Sequence, residues 1–156
     1  MKRILVGLDG SPREREVLLT AQDLAERYQA ELILFRAVGL PPELPAEAYL
    51  KPELSLLDFL QDKASAALEA CARTIPPSLR PRVRLKVSIA NPWRGVCAAA
   101  LEEQADLIVI GSHGYGSLDH VLGTNAARVV NHAGCSVLVV RSGLASGRAQ
   151  APQSTA

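Results

Sequence analysis

Two stretches of the chain carry residue types suited to holding an anion. The first is Asp9-Gly10-Ser11, where a carboxylate, a glycine and a hydroxyl follow directly on the apolar run Ile4 to Leu8. The second lies between Gly111 and Asn125: Gly111, Gly114 and Gly116 fall within six residues, and Gly123-Thr124-Asn125 lead into the helix-like run Ala126 to His132. Glycines at the end of a strand let backbone N–H groups approach a ligand without a Cβ in the way. A threonine at a helix start can cap it and offer a hydroxyl, and the first N–H groups of a helix carry the positive end of its dipole, which suits a phosphate. The spacing does not match GxxxxGK[ST], since no lysine follows the glycines, and it does not match GxGxxG. The same residues suit a tight turn with a capping glycine, and spacing alone leaves both readings open.

Other chemistry is poorly supported. His113, His120 and His132 have neither HExxH nor Cys/His ligand spacing, which argues against a metal site built on them. Ser117, Asp119 and His120 crowd onto one expected helical turn, whereas a catalytic triad converges from separate elements; a capped, solvated helix start is the better reading. His113 suits either a phosphate contact or a backbone-only role in the loop. Asp9 suits either a ligand contact or a cap on the following turn. As a ligand residue it is the candidate to hold Mg²⁺ between itself and phosphate oxygens.

The elements that must position these residues read as alternating strands and helices. Arg3 to Leu8 forms a buried strand. Ser11 and Pro12 mark a helix start, with Glu14 three residues after Ser11 as in a capping box. Val17, Leu18, Ala21, Leu24 and Ala25 then share a helical face, and Leu32 to Val38 is the next strand. Gly39 to Pro52 holds four prolines, which excludes a regular helix; it reads as a surface loop, placed so that it could also flap over a ligand. Glu53 to Thr74 is a long helix with Leu57, Leu60, Ala64, Ala67, Leu68 and Cys71 on one face. Val83 to Ala90 alternates in character, as an edge strand does. Asn91-Pro92 opens a helix with Trp93, Val96, Cys97, Ala100 and Leu101 inward, Trp93 as a core anchor. Asp106 caps or ends the link to the strand Leu107 to Ile110. Ala133-Gly134 then break the next helix before the strand Val137 to Val140.

Strand-helix-strand units of this length imply parallel pairs with right-handed crossovers. The expected fold is a single doubly wound α/β domain: a five-stranded parallel sheet ordered 3-2-1-4-5, with helices on both faces. Its switch point lies between the first and fourth strands, so Asp9 and the Gly111 to Gly114 loop meet at one crevice. The domain spans residues 1–141, and the small, polar residues 142–156 read as a flexible tail.

Composition is consistent with this. The 156 residues suffice for one domain with a full core. A net charge of +1 and 4% aromatic residues give little to attract or stack nucleic acid. Cys71, Cys97 and Cys135 are far apart and odd in number, suiting a reducing compartment better than a disulfide framework. The apolar run after Met1-Lys2-Arg3 is too short for a signal peptide, and no run reaches the roughly 18 residues of a membrane span. A cytoplasmic protein is expected.

Two motifs carry a resemblance to a known family. The pattern Gly111-Ser112-His113-Gly114, eight residues, Gly123-Thr124, a helix and a final Val-Leu-Val-Val-Arg strand resembles the universal stress protein family, as does Ile4-Leu5-Val6-Gly7-Leu8-Asp9-Gly10-Ser11 at the start. The nucleotide-binding branch usually has nine spacer residues where this chain has eight. The resemblance implies ATP as ligand, with AMP or ADP as variants. It implies Leu8, Asp9, Ala37 and Ile110 near the base, with Asp9 also reaching the ribose. Gly111, His113 and Gly114 would line the ribose and α-phosphate, and Gly123, Thr124 and Asn125 would hold the outer phosphates. It further implies a homodimer through the last strand, Ser136 to Arg141, which would cover an otherwise bare apolar edge. The expectation is an ATP-binding stress-response protein with little or no catalysis. The alternatives on the same fold are a dimeric interaction module that binds no nucleotide and a slow ATPase. A phosphoacceptor role for Asp9 is disfavoured, because Val140-Arg141 supply no lysine beside it.

Overall fold

The computed structural model describes residues 1–39, 56–112 and 122–141. Five strands, β1 (Arg3–Gly7), β2 (Glu31–Val38), β3 (Val83–Ile89), β4 (Leu107–Gly111) and β5 (Ser136–Val140), alternate with four helices, α1 (Glu14–Tyr28), α2 (Leu56–Arg73), α3 (Pro92–Glu102) and α4 (Thr124–His132). The strands form one parallel sheet in the order β3-β2-β1-β4-β5, the expected architecture. The Pro-rich stretch from residue 40 to Pro52, the loop residues His113, Gly114, Gly116, Ser117, Asp119 and His120, and the tail from Ser142 lie outside the described residues.

Side chains alternate across the pleat, and the two faces of the sheet build two cores. On one face Ile4, Val6, Leu8, Leu32, Leu34 and Val109 pack with Val17, Leu18, Ala21 and Ala25 of α1 and Leu68 of α2. On the other, Leu5, Ile33, Phe35, Ile108 and Ile110 pack with Val96, Ala99 and Ala100 of α3 and Ala126 and Val129 of α4. The middle of each central strand is therefore apolar on both faces, which is why Ile4 to Val6, Leu32 to Phe35 and Leu107 to Ile110 read as continuous apolar runs. The alternating strand β3 is indeed an edge, with Leu85 and Ile89 exposed. β5 is the other edge.

Several local expectations are corrected. Ser11 does not cap α1: Arg13 is the N-cap, and Ser11 only accepts the Glu14 N–H through its carbonyl. The Glu14 carboxylate turns away from a capping box to bind Gly10, Arg36 and Cys71 instead, because a half-buried guanidinium is a stronger partner than an exposed amide. Leu101 is 80% exposed rather than inward; α3 ends there and the chain turns through Gln104 at φ 51°. Asp106 does end the link to β4, as expected, and it does so by a long-range contact. Its Oδ2 accepts the N–H groups of Lys2 at 2.5 Å and Arg3 at 2.9 Å, tying the chain's start to the head of β4. Those two bonds hold its carboxyl below the usual range.

Candidate functional site

The site stands where β1 and β4, the two strands that diverge in connectivity, leave the sheet side by side. A cavity of about 210 Å³ opens there. Leu8 and Asp9 line it from β1, Phe35 and Ala37 from β2, Ile110 and Gly111 from β4, and Asn125 and Ala126 from α4. Of the residues expected at the site, Leu8, Asp9, Ala37, Ile110, Gly111 and Asn125 thus share one cavity. Gly123 and Thr124 stand beside Asn125 at the head of α4: Gly123 is the buried N-cap, and Thr124 is the exposed first helical residue. The cap is therefore the glycine, with no side-chain cap bond, and not the threonine. His113 and Gly114 lie outside the described residues.

The loop after β1 is held from several sides. Leu8 N–H donates to Phe35 O at 2.9 Å, which continues the ladder past the strand's end. Asp9 is exposed, and its Oδ1 accepts the Ser11 N–H at 3.0 Å, the short-range turn typical of aspartate. Gly10 takes φ +76°, a left-handed conformation open to glycine at little cost. Its N–H donates to Glu14 Oε2 at 2.6 Å. Arg36 pairs with the same carboxylate oxygen and donates from Nε to Leu8 O at 3.3 Å. Across the crevice, Arg13 Nη1 donates to Ser112 O at 2.9 Å, and Ser112 N–H donates to Val140 O at 2.9 Å. One side chain thus ties the loop after β1 to the end of β4.

Sequence reasoning missed Arg13, Arg36 and the role of Trp93. Arg36 was legible as a lone charge inside the run Leu32 to Val38, near the strand end where the site lies. Arg13 follows Pro12 at a helix start, where a cation has no local reason to sit. Trp93 is half-buried and packs against the core, but it also lines the cavity with Pro92 and Val96. Its ring centroid lies 4.8 Å from that of His132, and the guanidiniums of Arg94 and Arg128 stand 5.3 and 5.9 Å from it. These contacts fix the indole.

The chemistry of the arrangement follows from its lining. Apolar side chains from three strands and two helices form a slot suited to a flat, apolar group. Asp9 offers a hydrogen-bond acceptor at its edge, and the head of α4 directs backbone donors to the same side. Asp9, exposed at the mouth of this slot, is the residue that could serve as the single carboxylate by which Mg²⁺ is commonly held beside phosphate.

Comparison with known proteins agrees with the fold. The family model described as "Universal stress protein family" matches residues 1–141. The chain is 31% identical over 141 residues to the Thermus aquaticus "Universal stress protein in QAH/OAS sulfhydrylase 3'region", covering 90% of this chain and 98% of that one. Among solved structures it is similar to the universal stress protein UspA from Lactobacillus plantarum, with a TM-score of 0.70, 26% identity, and 90% and 97% of the two chains covered. The fold is shared with a universal stress protein in complex with cAMP (TM-score 0.59, 21% identity, 91% and 98% covered). It is also shared with the Archaeoglobus fulgidus universal stress protein in complex with dAMP (TM-score 0.59, 18% identity, 90% and 98% covered). Structural relatives thus bind adenine nucleotides. With the family match running from the first residue to the end of the last strand, the chain belongs to the universal stress protein family.

Proposed function

We propose that this chain binds an adenine nucleotide, ATP in preference to AMP or ADP, in the crevice between β1 and β4. The observation that carries this reading is the cavity that gathers Leu8, Asp9, Ala37, Ile110, Gly111 and Asn125 from four separate elements. The base fits the apolar slot, Asp9 accepts from the ribose hydroxyls, and the phosphates lie toward Gly123 and Thr124 at the start of α4. Mg²⁺, held by Asp9 and phosphate oxygens, would offset the repulsion between that carboxylate and the phosphates. The complexes of relatives with cAMP and dAMP support the adenine part of the reading.

Nucleotide acts in this reading as a conformational ligand, turned over slowly or not at all, in a cytoplasmic stress-response protein. A homodimer formed along β5, at the sheet edge, would pair that strand's outer backbone groups.

The test is calorimetric titration of nucleotide-stripped protein with ATP and Mg²⁺, with AMP and GTP as controls. Micromolar binding selective for adenine is expected. In Gly123→Val, where a branched side chain blocks the phosphate approach, affinity should fall by more than about tenfold. Absence of saturable heat with ATP, or unchanged affinity in that variant, would overturn the site.

A further inference from the structure

Two polar residues are buried among the described residues, Gln22 and Ser112. Ser112 is bonded through its backbone on both sides. The carboxamide of Gln22, in a residue only 8% exposed, has no hydrogen-bond partner among the described residues. Such groups are rare in folded proteins, because burying an unpaired amide forfeits its bonds to water. Gln22 lines a groove of about 490 Å³ between α1 and the end of α2. The groove lies on the sheet face opposite α3 and α4, away from the nucleotide cavity.

The groove has a polar and an apolar side. Glu14, Arg15, Leu18, Leu19 and Gln22 recur along one stripe of α1, and Ala70 and Cys71 of α2, with Thr74 just past its end, face them. Leu19 is half exposed there. Glu14 is occupied by Arg36, Gly10 and Cys71. Arg15, by contrast, is exposed and makes no ion pair among the described residues. The groove therefore presents one uncommitted cation at its rim, one uncommitted donor–acceptor pair at its floor, and apolar surface between them. Seven residues of helix separate Arg15 from Gln22, about 10 Å at a rise of 1.5 Å per residue, and three extended residues cover about the same length.

We propose that this groove binds the carboxy-terminal end of an extended peptide. The terminal carboxylate pairs with Arg15, where a guanidinium binds it in bidentate fashion. A backbone amide about three residues back exchanges N–H and C=O bonds with the Gln22 carboxamide. An apolar side chain between them covers Leu18, Leu19 and Ala70. The proposal does not rest on nucleotide binding.

The test uses the full chain, stripped of nucleotide, and a fluorescein-labelled pentapeptide ending in alanine-leucine-valine with a free carboxylate. Fluorescence anisotropy should show saturable binding, weakened about tenfold when the same peptide is amidated at its end. Arg15→Ala should abolish the preference for the free acid. Gln22→Leu should weaken both peptides about tenfold, while its unfolding midpoint holds or rises, since leucine suits a buried apolar floor. Amide shifts of the isotope-labelled, unmutated protein should concentrate at residues 15–22 and 70–74. No saturable binding up to millimolar peptide, equal binding of the two peptide forms, an unaffected Gln22→Leu variant, or shifts centred on α3 and α4 would each overturn the proposal.

Discussion

Glu14 and Arg36 meet beneath the loop that carries Asp9, although 22 positions separate them in the chain. Their side chains are only 16% and 15% exposed. The carboxylate also accepts the Gly10 N–H and the Cys71 thiol, and the guanidinium also donates to Leu8 O. One ion pair thus fixes the backbone on both sides of Asp9.

Removing one partner of this pair leaves the other charge largely buried without its counter-charge. Glu14→Ala should cost about 2–4 kcal/mol of stability, or roughly 5–12 °C in melting temperature for a chain of this length. The double variant Glu14→Ala with Arg36→Ala should lose less than the sum of the two single changes. Urea unfolding of all four proteins measures this. A coupling below about 0.5 kcal/mol would mean that water, and not Arg36, supports the carboxylate.

Gly95 sits in α3 where a Cβ would lie 3.2 Å from Ala90 Cβ, 3.2 Å from Phe35 Cζ and 3.3 Å from Ala37 Cβ. Alanine normally gains about 0.5–1 kcal/mol over glycine within a helix. Here overpacking, at about 1–3 kcal/mol, wins, because the added methyl meets three neighbours at once and two of them are Cβ atoms fixed to the backbone. Gly95→Ala should lower the melting temperature by a few degrees, roughly as 1 kcal/mol would. Phe35 and Ala37 also line the cavity, so ligand affinity should fall with it. A more stable variant would show that α3 slides outward freely.

The Asp106 carboxyl is held down first by the Lys2 N–H and then by that of Arg3. A lowered value in the folded state adds stability above the ordinary value of 3.8, lost as pH falls through the folded value. The wild-type protein should therefore lose stability as the medium is acidified below about pH 4. Asp106→Asn should be weaker at neutral pH and show a shallower loss in acid. Denaturant midpoints measured across that range decide it, and parallel curves for the two proteins would remove Asp106 from the account.

Burial, and after it the hydrogen bond to Glu14, pushes the Cys71 thiol up to about 11. The thiolate is the reactive form. At pH 8 iodoacetamide should alkylate Cys71 at least about tenfold more slowly in the folded protein than in urea, read by peptide mass mapping. Because the folded state keeps the proton, the associated stability is present below the ordinary 9.0 and lost as pH rises toward 11. Glu14→Gln should quicken alkylation less than unfolding does, since burial is the larger cause. Rapid native labelling would contradict the packing described for this thiol.

The sheet order was legible because β1, β2 and β4 are apolar at successive positions and β3 alternates, as buried and edge strands must. Six of the expected site residues share one cavity because strand ends at a switch point converge whatever lies between them in sequence. What escaped were partnerships made across the fold. Glu14 reads as a capping-box residue until Arg36 is seen to reach it from β2, and Trp93 reads as a core anchor until α4 is seen to leave its edge on the cavity. A local pattern names a residue's nearest competing role, and tertiary contact decides whether that role is filled.

The strand order also dictates a sequence of assembly. β3, β2 and β1 all lie within the first 89 residues and adjoin one another, so a chain leaving the ribosome can zip this half-sheet before β4 exists. The crevice comes into being only when β4 docks against β1 through the pairing of Ile4 with Leu107 to Gly7 with Ile110. A chain that ends before β4 therefore has a half-sheet but no crevice, and lacks the wall that Ile110 and Gly111 supply.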